Sequence, residues 1–279
     1  MAATTDLIME AVRAADHDRY LTALYAPHEK RAALFSLYAF NAEISAIRDR
    51  IHEALPGEIR LQWWRDAIAA DGDETGHPIA DALKATIAAH RLPKRALDNM
   101  LEARIFDLYD DPMPSRTDLE GYCGETAAAL IQLAAMVLDP AEAPRFADLA
   151  GRAGCAQAIT GLLLLLPLHR RRGQCFVPAD ILTAAGSSPE EFVAGDGGPG
   201  APRAIAAMIA LAREHLSAFE QGASTLPASL RPAFLPLALS RAYLTKIENG
   251  APLRGAPRLS ALRRHWVTLR RATKGWSAL

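Results

Sequence analysis

Apolar residues along this chain recur at three- and four-residue spacing, and strictly alternating runs are scarce, so the pattern predicts helices throughout. Thr5 and Asp6 stand where a first helix, running to about Ala15, would be capped. Pro27 opens a second at its first turn, where a missing N–H costs nothing. Within it Ala32, Phe35, Leu37, Tyr38, Phe40, Ile44 and Ile47 make a broad apolar face. A third helix carries Ile59, Leu61, Trp63, Trp64, Ala67 and Ile68 and ends in the loop DGDETGHP. Further helices are expected near residues 79–90, 94–108, 116–138 and 144–166, the last being the most apolar and therefore central. After the basic turn HRRRG, the segment QCFVPADIL reads as a short extended stretch followed by a partial helix. Residues 187–192 (SSPEEF) read as a small capped turn, with acid near a helix start. GDGGPGAP, residues 195–202, reads as a flexible loop. Two more helices, near 203–226 and 228–249, precede a tail rich in proline and arginine. With no internal repeat and no linker between two cores, a single domain over residues 1–279 is expected.

Composition narrows the function classes. Half of the residues are hydrophobic, enough for a sizeable core, and the formal net charge of -1 gives no global basic field. A dedicated nucleic-acid binder is therefore not expected. Cys123, Cys155 and Cys175 are odd in number and widely spaced, with no CxxC or Cys/His pattern, so neither a zinc site nor a disulfide framework is implied. A reducing compartment is the simplest reading. Asp6, Glu10, Asp16 and Asp18 lie in the first twenty residues, which rules against a secretory signal or transit peptide. The longest apolar stretch, residues 155–168, is interrupted by Gln157, Thr160 and Gly161 and ended by Pro167. A membrane span needs about 20 residues, so this reads as a buried helix. A cytoplasmic protein without a transmembrane segment is expected, with peripheral membrane contact left open.

Several local features bear on chemistry, and each has a plain structural reading beside it. Asp107, Asp110 and Asp111 imitate a DxxDD metal box, but they abut Pro112 and read as a solvated helix end. His169 with Arg170, Arg171 and Arg172 is the densest positive cluster. It could bind a diphosphate or an anionic lipid headgroup, or simply sit at the negative end of the preceding helix. Trp63 and Trp64 are adjacent and cannot share one helix face; both are expected in the core. The three cysteines are expected to be inert buried thiols. The basic, partly amphipathic ALRRHWVTLRRATKGW admits two readings: a helix lying on an anionic membrane, or a solvated helix docked by Leu262, Trp266 and Leu269.

DRYLTALYAPHEKRAALFSLYAFNAEISAIRD, residues 18–49, resembles the opening of the squalene/phytoene synthase family. Four further blocks follow in the family's order: RLQWWRDAI, GHP, LEARIFDL with DLEGYCGETAA, and GCAQAITGLLLLLPLHRRRGQCFVP. The resemblance implies an all-α, isoprenoid-synthase-like helical bundle around a central apolar cavity, with Tyr38, Asn41, Tyr122 and Gln157 as cavity-lining candidates. Enzymes of that family ionise a prenyl diphosphate and join two such chains, using Mg²⁺ held by two acidic helix faces; Mg²⁺ needs several oxygen ligands. Aligned on LYAF, the first acidic motif falls on Ser45, Ala46 and Asp49, so one carboxylate of three is left. Asp49, between Arg48 and Arg50, reads more simply as a solvated helix residue. The second motif falls on AQAITGLLLLL, which has no acid at all. Thus no catalytic residue and no metal ligand is assigned, no cofactor is expected, and Mg²⁺ would be needed only if the chain were active. The AQ…LLL..P.H..RR…VP pattern together with QWWRD is similar to a divergent branch of the family typified by a mitochondrial respiratory complex I assembly factor. That likeness implies an assembly or lipid-binding role, with a respiratory-complex subunit or an isoprenoid lipid as partner. The alternative is an active head-to-head prenyl transferase with an unrecognised metal arrangement.

Overall fold

The structure, a computed structural model, describes residues 2–70, 72, 74–250, 252, 253, 255 and 257–276. The loop DGDETGHP therefore lies partly outside the described residues. Among those described, helices account for the secondary structure and no β-strand occurs. In chain order the α-helices are α1 (Ala2–Ala15), α2 (His17–Ala23), α3 (His28–Ser45), α4 (Ile47–Arg50), α5 (Ala54–Ala69), α6 (Pro78–His90) and α7 (Lys94–Ile105). They continue with α8 (Arg116–Cys123), α9 (Ala129–Leu138), α10 (Ala147–Leu164), α11 (Leu166–Arg171), α12 (Ala179–Ala184), α13 (Pro189–Val193), α14 (Ala201–Gly222), α15 (Arg231–Phe234), α16 (Ser240–Glu248) and α17 (Ala261–Lys274).

The chain forms two compact units. The first comprises residues 1–109, 129–150 and 226–236, the second residues 110–128, 151–225 and 237–279. In the first, α3 is packed by α1, α2, α6 and α9. Leu34, Phe35, Leu37, Tyr38, Phe40 and Ile44 are all buried. A helix buried almost all round must satisfy its few polar groups internally. Ser36 does so, its hydroxyl lying 2.7 Å from that of Thr86 on α6. Trp64 of α5 is fully buried and meets Phe40 edge to face at 5.2 Å; burial of each such ring is worth about 2–3 kcal/mol. Trp63 is only half-buried, with the Arg60 guanidinium 4.4 Å from its ring, so one of the two adjacent indoles is core and the other is not.

In the second unit α14 buries Ala204, Ile205, Met208, Ile209, Leu211, Ala212, Leu216 and Phe219, a helical stripe packed against α12 and α16. The extended stretch before α12 pairs with Met113, whose N–H donates to Cys175 O and whose carbonyl accepts from Ala179 N, both at 2.9 Å. Gly154 on α10 lets that helix close on Ala128, since a Cβ there would fall 2.4 Å from the Ala128 backbone.

Element boundaries differ from the sequence reading at identifiable points. Thr5 and Asp6 fall inside α1 rather than at its cap. The short α2 is capped by Asp16, whose side chain accepts from Arg19 N at 2.9 Å. The helix expected over residues 228–249 is split into α15, a 3₁₀ turn and α16, because Pro232 and Pro236 lack the N–H an α-helix requires. Residues 124–128, inside the run Arg116–Leu138, are π-helical. That run is long and apolar enough to cross a membrane by length and composition, and just over half of its most apolar window is buried inside the protein. Gly195, Gly197 and Gly198 take positive φ, and Gly197 and Gly200 are buried, so the loop before α14 is folded into turns.

Candidate functional site

The positions matched to the family's first acidic motif lie where α3 ends. Ser45 is the last residue of α3, and its hydroxyl donates to Asn41 O at 2.6 Å. At Ala46 the backbone leaves helical geometry (φ -89, ψ 0), and Asp49 belongs to the separate four-residue α4, where it is exposed. Carboxylates at i and i+4 share a face only on one continuous helix, and that condition fails here. Glu43, the other carboxylate on this stretch, is paired with Arg50 at 3.0 Å.

Asn41 and Tyr38 sit one and two turns earlier and are both buried. The Tyr38 hydroxyl has no hydrogen-bond partner. Burial pushes its phenol up to about 12, against a pull from Arg19 and with a smaller push from Asp16. The Arg19 guanidinium lies 5.9 Å from the Tyr38 ring and is paired with Asp16 at 2.6 Å.

In the second unit, the positions matched to the second motif form the end of α10. Leu163 and Leu166 are buried, Leu162 and Leu164 half-buried and Leu165 exposed. The helix breaks at Leu165, and Pro167 lies in the first turn of α11, where its ring cannot clash with a preceding helical carbonyl. The side-chain amide oxygen of Gln157 is buried without a hydrogen-bond partner. Tyr122 lies 6.0 Å from the Phe176 ring, which lies 4.6 Å from His169. The structure thus brings Tyr122 and His169 together around Phe176.

The basic cluster after α10 is dispersed. His169 is buried, Arg171 is exposed and Arg172 is half-buried. Arg170 donates to the carbonyls of Phe192, Ala194 and Gly195 at 2.8, 3.0 and 2.9 Å, closing the C-terminal end of α13. It also lines a cavity of about 990 Å³ with apolar side chains of α14, among them Ile205 and Ile209. Of the Asp107, Asp110 and Asp111 group, Asp107 is buried against Arg104 at 2.9 Å, and the other two are exposed.

A polar network in the second unit escaped the sequence reading. Glu120 accepts from Arg116 at 3.0 Å and stands 2.9 Å from Nε2 of buried His215, while Arg116 also pairs with Glu214 at 2.8 Å. The Arg116 hydrogen bond holds the Glu214 carboxyl below its usual value. Cys155, 3.9 Å from Glu120 O, is held below the usual thiol value by a hydrogen bond from Cys123, against burial and the charge of Glu120. Only the four-residue step from Arg116 to Glu120 was visible in sequence. The partners on α14 lie about a hundred positions away, with no local signal.

Magnesium demands several oxygen ligands in near-octahedral order. At the family's positions this chain offers a hydroxyl already bonded to a carbonyl, an alanine, one exposed carboxylate on another helix, and a run of leucines. Among the described residues no group of three or more His, Cys, Asp or Glu side chains is arranged to hold a metal ion. The residues present do not fit Mg²⁺.

Comparison with known proteins places these features in a lineage. A sequence model described as squalene/phytoene synthase matches residues 12–265. The chain is 31% identical over 244 residues to complex I assembly factor 6 of Rattus norvegicus, covering 86% of this chain and 73% of that protein. It is 26% identical over 238 residues to chloroplastic phytoene synthase 1 of Arabidopsis thaliana, covering 82% and 56%. A crystal structure of a dehydrosqualene synthase in complex with a ligand superposes with a TM-score of 0.82 at 15% identity, covering 98% of this chain and 96% of that one. That likeness shows the isoprenoid-synthase-like all-helical fold.

Proposed function

Since the chain belongs to the squalene/phytoene synthase family, we propose that it is a member that has lost the family's condensation chemistry and acts in the assembly of respiratory complex I, with an isoprenoid or other lipid as a ligand. The observation that carries this reading is the replacement of both acidic motifs: Ser45, Ala46 and one carboxylate, Asp49, on a separate helix at the first, and Leu162 to Leu166 at the second. Ionising a diphosphate requires its leaving charge to be neutralised, and that stabilisation is the largest part of such catalysis. Leucine provides none. The identity to complex I assembly factor 6 supports the assembly role and exceeds that to phytoene synthase.

What the chain's own residues would do in this role is bind rather than react. Tyr38 and Gln157 each bury a polar atom without a protein partner, and such atoms are commonly satisfied by a ligand or ordered water. A few such polar atoms on otherwise buried helices would suit a hydrocarbon chain with a small polar end. The reading carries with it a cytoplasmic protein.

Incubation of the purified chain with farnesyl or geranylgeranyl diphosphate and Mg²⁺ is expected to release no pyrophosphate and to form no condensed product. A deletion strain of its host is expected to accumulate less assembled complex I. Metal-dependent turnover to a condensed prenyl product would overturn the proposal and restore the prenyl-transferase reading.

A further inference from the structure

From Asn249 onward the chain contains seven Lys or Arg and no Asp or Glu, against 24 basic and 32 acidic residues before it. Charge is therefore segregated, although the whole is close to neutral. The described part of this segment contains α17, whose N-terminus is capped by Ser260 accepting from Arg263 N at 3.3 Å.

The orientation of α17 is the reverse of an ordinary surface helix. Its apolar residues Leu262, Trp266 and Leu269, at i, i+4 and i+7, lie on one stripe. That stripe faces solvent: the three are 81%, 64% and 45% exposed. The opposite face makes the protein contacts. Val267 packs on the cluster of Leu239, Ala242 and Leu259, Thr268 is buried, and Arg271 lies 3.8 Å from the Glu220 carboxylate and 6.0 Å from the Trp276 ring. A helix docked by its own core would turn Leu262, Trp266 and Leu269 inward. Here a valine, a threonine and an arginine face the protein, and the largest apolar side chains are left out. Arg263, Arg270 and Lys274 are exposed and flank the stripe to one side, about 70–115° from its centre at 3.6 residues per turn.

We propose that α17 docks the protein on an anionic bilayer surface, with Leu262, Trp266 and Leu269 entering the headgroup–acyl boundary and Arg263, Arg270 and Lys274 meeting lipid phosphates. Tryptophan favours that boundary because its ring is apolar and its N–H needs a polar partner. A basic helix with a narrow apolar stripe has the composition of an in-plane membrane element. Three side chains cannot supply the roughly 800 Å² per partner of a stable dimer, and two copies of so basic a helix would repel each other. Nucleic acid would use the charges but leave the apolar stripe in water. The inference rests on α17 alone and does not depend on the assembly reading.

The test is flotation of the purified full chain with phosphatidylcholine vesicles, with and without phosphatidylglycerol. Binding is expected only to the anionic vesicles and should weaken as salt rises. The triple variant L262Q/W266Q/L269Q should bind at least about tenfold more weakly. R263Q/R270Q should lose about fivefold per charge removed. Both should keep the wild-type circular-dichroism melt, because the substituted side chains are exposed. Failure to float with anionic vesicles, or wild-type binding by the triple variant, would overturn the proposal. So would a triple variant whose only change is loss of self-association or of nucleic-acid retention.

Discussion

Gly154 and Gly161 lie seven residues apart on the same helix and are indistinguishable in the sequence, yet their surroundings differ completely. A methyl group at Gly154 would strike the Ala128 backbone, whereas one at Gly161 meets nothing within 4 Å. Glycine in a helix interior costs about 1 kcal/mol relative to alanine, so Gly161→Ala should raise stability by up to that amount. Gly154→Ala should lower it by about 1–3 kcal/mol, the usual penalty for forcing packed backbones apart. Urea titrations of the two variants, read for opposite shifts in midpoint, check this; equal shifts would mean that the close approach at Ala128 is not real. The same contrast holds for polar side chains. Tyr38, Asn41, Tyr122 and Gln157 could be named from the chain's resemblance to a family, but which of their polar atoms lack partners depends on neighbours far away in sequence. Glu120 and His215 were not nameable at all.

Helices were legible where their signals are local. Pro27 before α3, the apolar period of α14 and the Ser188 cap of α13 each act within a turn or two, and each appears where expected. Breaks were less legible: α15 and α16 part at two prolines, and α10 ends two residues before the expected position, at the bend preceding Pro167. α6 provides an electrostatic test. Its Asp81 carboxylate accepts from Thr75 N at 2.6 Å and from the Thr75 hydroxyl at 2.7 Å, holding the chain that enters the helix. Burial pushes the Asp81 carboxyl up, but these hydrogen bonds, one from Gly76 N–H and the charge of Lys84 outweigh it, so its pKa is lower than usual. A depressed folded-state pKa contributes stability above the unfolded value, and that contribution fades as pH falls through the folded one. Asp81→Asn should therefore cost about 1 kcal/mol near neutrality. Its melting temperature should converge with the wild type's as the medium becomes more acidic than the ordinary carboxylate range. A gap independent of pH would show that the ionised form contributes nothing.

Over the whole molecule, the three thiols report on opening. None of Cys123, Cys155 and Cys175 is in a disulfide, and all three are buried. Ellman's reagent should label them slowly in the native protein and fully in denaturant, with Cys155 ahead of Cys175. A hydrogen bond from Cys123 lowers the first thiol, whereas burial pushes the second up to about 11, and only the thiolate reacts. Immediate labelling of all three would contradict their burial. Family and helical class were settled at this scale by sequence, because five motif blocks in fixed order and a 3.6-residue apolar period are both properties of a linear string. The same string carries Ser45, Ala46 and a leucine run at the positions matched to the family's acidic motifs, and the loss of that chemistry is the proposal built on them. Tertiary structure alone decided what surrounds those positions and what lies elsewhere: an interrupted helix at Ala46, an arginine turned onto three carbonyls, a half-buried Glu120 paired with buried His215, and an apolar stripe on α17 facing outward. Those depend on which surfaces the fold brings together and which it leaves in water, and burial is a property of the packed chain rather than of any segment of it.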